Sequence, residues 1–208
     1  MDYHKISMSL KDAKINFLVD IATDLFMARS VNDVTIRDIA MAAQVGEATV
    51  YRYFGNKQNV VIQAAMNIQS VVSEDYFKLE KGKTGFEKLA LFYQSYYEIF
   101  SKHPNFYKFL SEFDAYMAGE HSDAINPYEN AIDSYKDFFM QAYDLGLKDG
   151  SIKEQKDIET FYFSTTHALL ELCKKLAAKK VVLTQDKHLQ KKGEVQCLID
   201  IIVESLKK

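Results

Sequence analysis

The chain has 208 residues, 48% of them hydrophobic and 26% charged, with two prolines, two cysteines and a formal net charge of −3 at pH 7. That length can bury one substantial core or two modest ones, and the composition tilts toward helix. No run approaches the twenty or so apolar residues of a membrane-spanning helix and Met1-Asp2-Tyr3-His4-Lys5 lacks a signal-peptide profile, so the expectation is a cytoplasmic protein with no membrane partner.

The first helix is expected over about residues 10 to 29, ending near Ser30-Val31-Asn32-Asp33. A second starts at Thr35, whose hydroxyl can cap the first turn while Asp38 completes a capping box. Ile36, Ile39, Ala40 and Ala43 then share one face at helical spacing. Gln44-Val45-Gly46 supplies a turn, with Val45 as an apolar plug and Gly46 as the residue that relieves backbone restriction. In a third helix of about nine residues, Val50 and Phe54 fall inward, whereas Ala48 and Arg52 take the opposite side, flanked by Thr49, Tyr51 and Tyr53. Small, hydroxyl-bearing and cationic side chains on one face let a helix approach a DNA major groove and reach phosphates and base edges. Aromatic residues at helical spacing are just as often core, so Tyr51 and Tyr53 alone decide nothing.

As a joint pattern, residues 14–62 resemble the TetR family of bacterial transcriptional repressors. Leu18, Ala22, Leu25 and Phe26 match the apolar first helix of such proteins, and Tyr51-Arg52-Tyr53-Phe54 followed by Asn56-Lys57 matches the end of the recognition helix and the start of helix four. The resemblance implies that Gly46, Glu47, Ala48, Thr49 and Arg52 face base edges, while Thr35, Arg37, Tyr51, Tyr53 and Lys57 hold phosphates. Glu47 is the odd member: near phosphates a carboxylate is repelled unless it accepts a hydrogen bond from a cytosine amino group, which makes it a specificity candidate. The family often carries Gly at the positions of Ser30, Gln44 and Ala48 and Ser at that of Gly46, so the turn and cap depart from the pattern. Residues 1 to 60 sum to zero charge, so the basic footprint of a DNA-binding domain resides only in its distribution, with Arg37, Arg52 and Lys57 on the contact side.

A fourth helix is expected from Asn56 to about Leu79, joining the two halves, and Lys81-Gly82-Lys83-Thr84-Gly85 reads as a linker. Its GKT lacks the preceding strand and full spacing of a phosphate-binding loop. Helix five spans about residues 85 to 102 and is stopped by His103-Pro104; Asn105 to Met117 forms a sixth. After a polar loop over Ala118 to Asn126, Pro127 opens a seventh helix that runs to about Lys148 before Gly150. The eighth carries Ile158, Phe161, Tyr162, Thr165, Leu169, Leu172 and Leu176 at apolar spacing, and the ninth Val195, Leu198, Ile199, Ile202 and Leu206. The fold class is all-α, with about nine helices, divided into residues 1–56 and 57–208. In a resembling TetR protein the last two helices pair with their twins in a homodimer, which sets two reading heads on a palindromic operator in double-stranded DNA; the alternative is that both stripes close the monomer core.

The second half is unusually aromatic, and Tyr93, Tyr96, Phe100, Phe109, Phe113, Tyr135, Phe139, Tyr143, Tyr162 and His167 are candidates to line a pocket for a small apolar or aromatic effector. No cluster of carboxylates, amines or guanidinium groups suggests a charged effector. By resemblance, effector binding shifts helix four and releases DNA. The rings also suit a packed core that serves only dimerisation or a protein partner. An enzyme is the competing class, but His4, His103, His121, His167 and His188 are scattered, Glu159, His167 and Glu171 share a helix face only weakly, and no catalytic residue, metal or cofactor is expected. Cys173 and Cys197 lie in helices without metal-ligand spacing and are expected as buried thiols. The reading is a homodimeric, ligand-responsive DNA-binding regulator of the repressor type.

Overall fold

The structure, a computed structural model, describes residues 10–77, 83–119, 125–178 and 191–208. Among the described residues there are nine helices: α1 (Leu10–Ala28), α2 (Ile36–Ala42), α3 (Glu47–Phe54), α4 (Lys57–Tyr76), α5 (Gly85–Lys102), α6 (Pro104–Met117), α7 (Asn126–Asp149), α8 (Ile158–Ala177) and α9 (Lys191–Leu206). The β structure among these residues is an isolated antiparallel bridge between Ile152 and Lys207. No described helix is long and apolar enough to cross a membrane. His4, His121, His188, Leu79 and the Lys81-Gly82 part of the expected linker lie outside the described residues.

Helix starts follow local chemistry. Thr35, Asn56, Thr84 and Asp157 each accept, through the side chain, the backbone N–H three residues on, satisfying one of the amides a first turn leaves without a partner. Thr35–Asp38 and Thr84–Glu87 complete reciprocal capping boxes. Pro104 opens α6, where its missing N–H costs nothing. Gly150 ends α7 in the left-handed conformation, φ 75°.

Two packing arrangements share one continuous core. In the first, α1 lies along α4 and α2 packs on α3, closing a small head around Leu18, Ala22, Phe26, Val34, Ile39 and Val50, all essentially buried. In the second, α5 packs on α7 and α9, and α6 on α8. α4 belongs to both, packing on α1 and α3 in the head and on α5, α6 and α7 in the larger bundle.

Three expectations are corrected. Gly85 is not a linker residue: it is the buried first residue of α5, and its N–H donates to the Asp149 carboxylate at 2.8 Å. Leu169, Leu176, Val195, Ile199, Ile202 and Leu206, read as a dimer stripe, are buried within one chain, because α8 and α9 must first cover each other and α5. Cys173 is buried as expected but Cys197 is exposed, since it lies on the side of α9 opposite Val195 and Ile199.

Candidate DNA-reading face and effector cavity

The second and third helices present a face rather than bury it. Val50 is fully buried and Phe54 is 7% exposed, which anchors α3 inward. On the other side Glu47, Ala48, Tyr51 and Arg52 are exposed, and Thr49 and Tyr53 are half-buried. The Arg52 guanidinium lies 5.1 Å from the Tyr53 ring centroid, a cation–π contact. On α2, Thr35 and Arg37 are exposed at the start of the helix. Asp38 engages Thr35 and, at 3.7 Å, Arg29 just after α1. Hydrogen bonds from the Thr35 side chain and backbone hold the Asp38 carboxyl below its ordinary range.

Lys57, in the first turn of α4, is half-buried; its ammonium donates to the Asn32 carbonyl at 3.4 Å and sits 5.2 Å from the Tyr116 ring. Desolvation lowers its pKa. That placement ties the head to α6 from within.

The turn between α2 and α3 works differently from expectation. Gly46 has an ordinary extended backbone (φ −75°, ψ 147°) and caps α3 without a side chain, whereas Gln44 carries the positive φ, 53°. The conformational demand therefore falls on a residue with a Cβ.

Between α4, α5, α6, α7 and α8 lies a cavity of about 170 Å³. Four of the anticipated residues, Tyr96, Tyr135, Tyr162 and His167, line it. The others sit elsewhere. Tyr93, Phe109 and Phe139 are almost fully buried core, and Tyr93 shares a 2.8 Å hydrogen bond with Thr165. Phe100 and Phe113 are buried beside Tyr107 and Tyr128, and Tyr143 accepts the Gln155 N–H at 2.7 Å. None of these rings lines the cavity, which a list of aromatics cannot reveal.

The cavity also contains residues the sequence reading passed over: Gln69 and Val72 on α4, Tyr107 and Asp114 on α6, Tyr128 on α7, and Lys174 on α8. Lys174 is only 7% exposed and donates to Asp114, and to Glu171 at 2.8 Å. Burial pulls its pKa down, but hydrogen bonds to those two carboxylates outweigh this and leave it raised. A charged cluster therefore does stand at the cavity, contrary to expectation. Its signal in the sequence is a lysine beside Cys173 in an apolar register, just as Gln69 interrupts the apolar register of Ala65, Ile68 and Val72. Burial raises the Tyr162 pKa to about 12 and that of Tyr96 well above the ordinary value, so both hydroxyls stay protonated donors. Glu159, His167 and Glu171 form no joint site: Glu159 pairs with Lys136, Glu171 with Lys174, and His167 stacks near Phe163.

The family model for bacterial regulatory proteins of the tetR family matches residues 18–64. The HTH-type transcriptional repressor KstR2 of Rhodococcus jostii (strain RHA1) is 26% identical over 151 residues, 72% of each chain. A transcriptional regulator from Saccharomonospora viridis, solved in complex with choline, superposes with a TM-score of 0.75 at 16% identity over 94% of this chain and 98% of its own. The regulator FadR from Bacillus subtilis, solved in complex with stearoyl-CoA, does so at 0.62 and 17% identity over 92% and 98%. With α3 held outward, residues 18–64 carry the tetR-family domain of bacterial regulatory proteins, and the chain is similar over 72% of its length to a helix-turn-helix transcriptional repressor.

Proposed function

We propose that the chain is a homodimeric repressor whose hold on a palindromic operator is released by a small, largely apolar or aromatic effector. The observation that carries this reading is the double role of α4: its N-terminal half packs under the DNA-reading head while Gln69 and Val72, further along, wall the cavity. A ligand that repositions α4 repositions the head, and differential affinity for the two arrangements is all that coupling requires.

On this reading residues 1–56 form the DNA-binding unit and 57–208 the effector and dimerisation unit. Ala48, Thr49, Arg52, Glu47 and Gly46 face bases; Thr35, Arg37, Tyr51 and Tyr53 face phosphates. Lys57 braces the head against α6 in addition to approaching a phosphate. The dimer forms through what α8 and α9 leave uncovered, including Ala168, Cys197 and the 63% exposed Ile201. KstR2 is named a repressor, which supports the sign of regulation, and choline and stearoyl-CoA bound to two relatives support a ligand site in this fold. A cavity of about 170 Å³ suits a compact ligand, being close to the engineered apolar cavity of about 150 Å³ that takes benzene.

Selection of bound sequences from random duplex DNA tests the reading: a palindromic winner with half-sites one or more helical turns apart is expected. On that operator, Arg52→Ala combined with Tyr51→Phe should weaken binding about tenfold or more without unfolding the protein, and wild-type affinity should fall steeply with salt as counterions are released. Unaltered binding by the double variant would overturn the contact assignment.

A further inference from the structure

The cavity offers hydrogen bonds that nothing among the described residues takes up. Gln69 is only 6% exposed and lies on the cavity wall, yet among the described residues its side-chain amide has no hydrogen-bond partner. The neighbouring backbone carbonyl of Gln69 is used, accepting Tyr135 Oη at 3.4 Å; the amide is not. The hydroxyls of Tyr96 and Tyr162, also on the wall, are likewise unpartnered among the described residues. None of the three is sealed from the cavity, because the one fully enclosed polar side-chain atom without a partner among the described residues is Ser101 Oγ. A buried amide without a partner carries a free-energy cost that an arriving oxygen would remove.

The charge at the site is already compensated. Lys174 is held by Asp114 and Glu171 at once, so an anionic or cationic ligand would have to break an existing pair, whereas a neutral oxygen meets vacant donors. Apart from His167 and Thr166, whose hydroxyl already donates to the Tyr162 carbonyl, the remaining wall is apolar or aromatic, with Val72, Ile99 and Leu110 among its members.

Resting on the effector reading above, we infer that the cavity takes a compact, uncharged aromatic molecule bearing one hydroxyl or carbonyl oxygen, held by the Gln69 amide together with the Tyr96 or Tyr162 hydroxyl. Because Gln69 belongs to α4, this hydrogen bond places the ligand's pull directly on the helix that carries the reading head.

Titration calorimetry of the full chain with ethylbenzene, 4-ethylphenol, acetophenone, benzoate and benzyltrimethylammonium tests it. The two neutral oxygenated probes should bind about fivefold to tenfold more tightly than ethylbenzene, the worth of one buried hydrogen bond, and more tightly than either ion. Gln69→Leu should abolish that preference while keeping ethylbenzene affinity. Tyr96→Phe and Tyr162→Phe, which change no volume to speak of, should reduce it and keep the assay decisive if the Gln69 variant fails to fold. Absence of binding by every probe, tighter binding of benzoate or the ammonium ion, or a preference that survives in all three variants would overturn the inference. If the oxygenated probes bind as expected but leave operator affinity unchanged, the ligand class stands and the release mechanism falls.

Discussion

A Cβ added to Gly85 would lie 2.1 Å from the backbone nitrogen of Gly146, so α5 and α7 touch main chain to main chain. A Cβ on Gly146 would instead meet the Ile152 side chain, at 1.9 Å from Cγ1. The two glycines therefore fail differently when substituted. Gly85→Ala has only backbone to push against and should cost about 3 kcal/mol or more. Gly146→Ala should be partly rescued by Ile152→Ala, whereas Gly85→Ala should not. Urea denaturation of the single and double variants measures this, and equal rescue of both would contradict the packing.

This contact also marks where sequence reasoning stops. The helices were legible because periodic apolar positions and caps are local: Thr35 with Asp38, Val50 with Phe54, and Pro127 at the start of α7 each declare themselves within a few residues. Gly85 read as a linker because its reason for being glycine lies 61 residues away on α7. Tyr96 and Tyr93 are three apart on one helix and chemically alike, yet one lines the cavity and the other is core, a distinction made by which neighbour each meets. Lys174 and Gln69 looked like ordinary polar surface in composition, and only their register among buried residues betrayed them.

The left-handed backbone of Gln44 yields a stability prediction. A residue with a Cβ at φ 53° is strained, and Gln44→Gly should stabilise the protein by about 0.5–1 kcal/mol, offset in part by the greater chain entropy of glycine when unfolded. Gly46→Ser, in a position with no atom within 4 Å of an added Cβ, should add a few tenths of a kcal/mol by capping α3. Thermal melts that show Gln44→Gly less stable than the parent would contradict the turn geometry.

Acid should weaken the joint between α5 and α7. Asp149 accepts N–H groups from Gly85 and Ser151 at 2.8 and 2.9 Å, and hydrogen bonds from the Ser151 side chain and from these amides hold its pKa below 3.8. A carboxyl depressed in the folded state contributes stability that is complete above its unfolded value and disappears as pH falls through the folded one. The stability gap between the parent chain and Asp149→Asn should therefore be full at neutral pH and close below about pH 3.8. A gap independent of pH in urea titrations would show that the carboxylate charge contributes nothing.

Glu112 links the two halves of the molecule through a single acceptor. Its carboxylate takes the backbone N–H of Val31 at 2.8 Å, from α6 into the loop after α1, and Val31 is fully buried. The same helix supplies Met117 to Gln58 and the Tyr116 ring to Lys57 on one side, and Tyr107 and Asp114 to the cavity on the other. Glu112→Ala leaves the Val31 amide without its partner and should cost about 1.5–3 kcal/mol, the range for a hydrogen bond to a charged group. Glu112→Gln keeps an acceptor oxygen and should cost less. Because the lost contact joins the reading head to α6 rather than either unit to itself, amide exchange should accelerate at Val31 more than at Leu169 in the buried part of α8. Uniform acceleration across both would mean that Glu112 stabilises the fold as a whole and does not act as the tie between head and bundle.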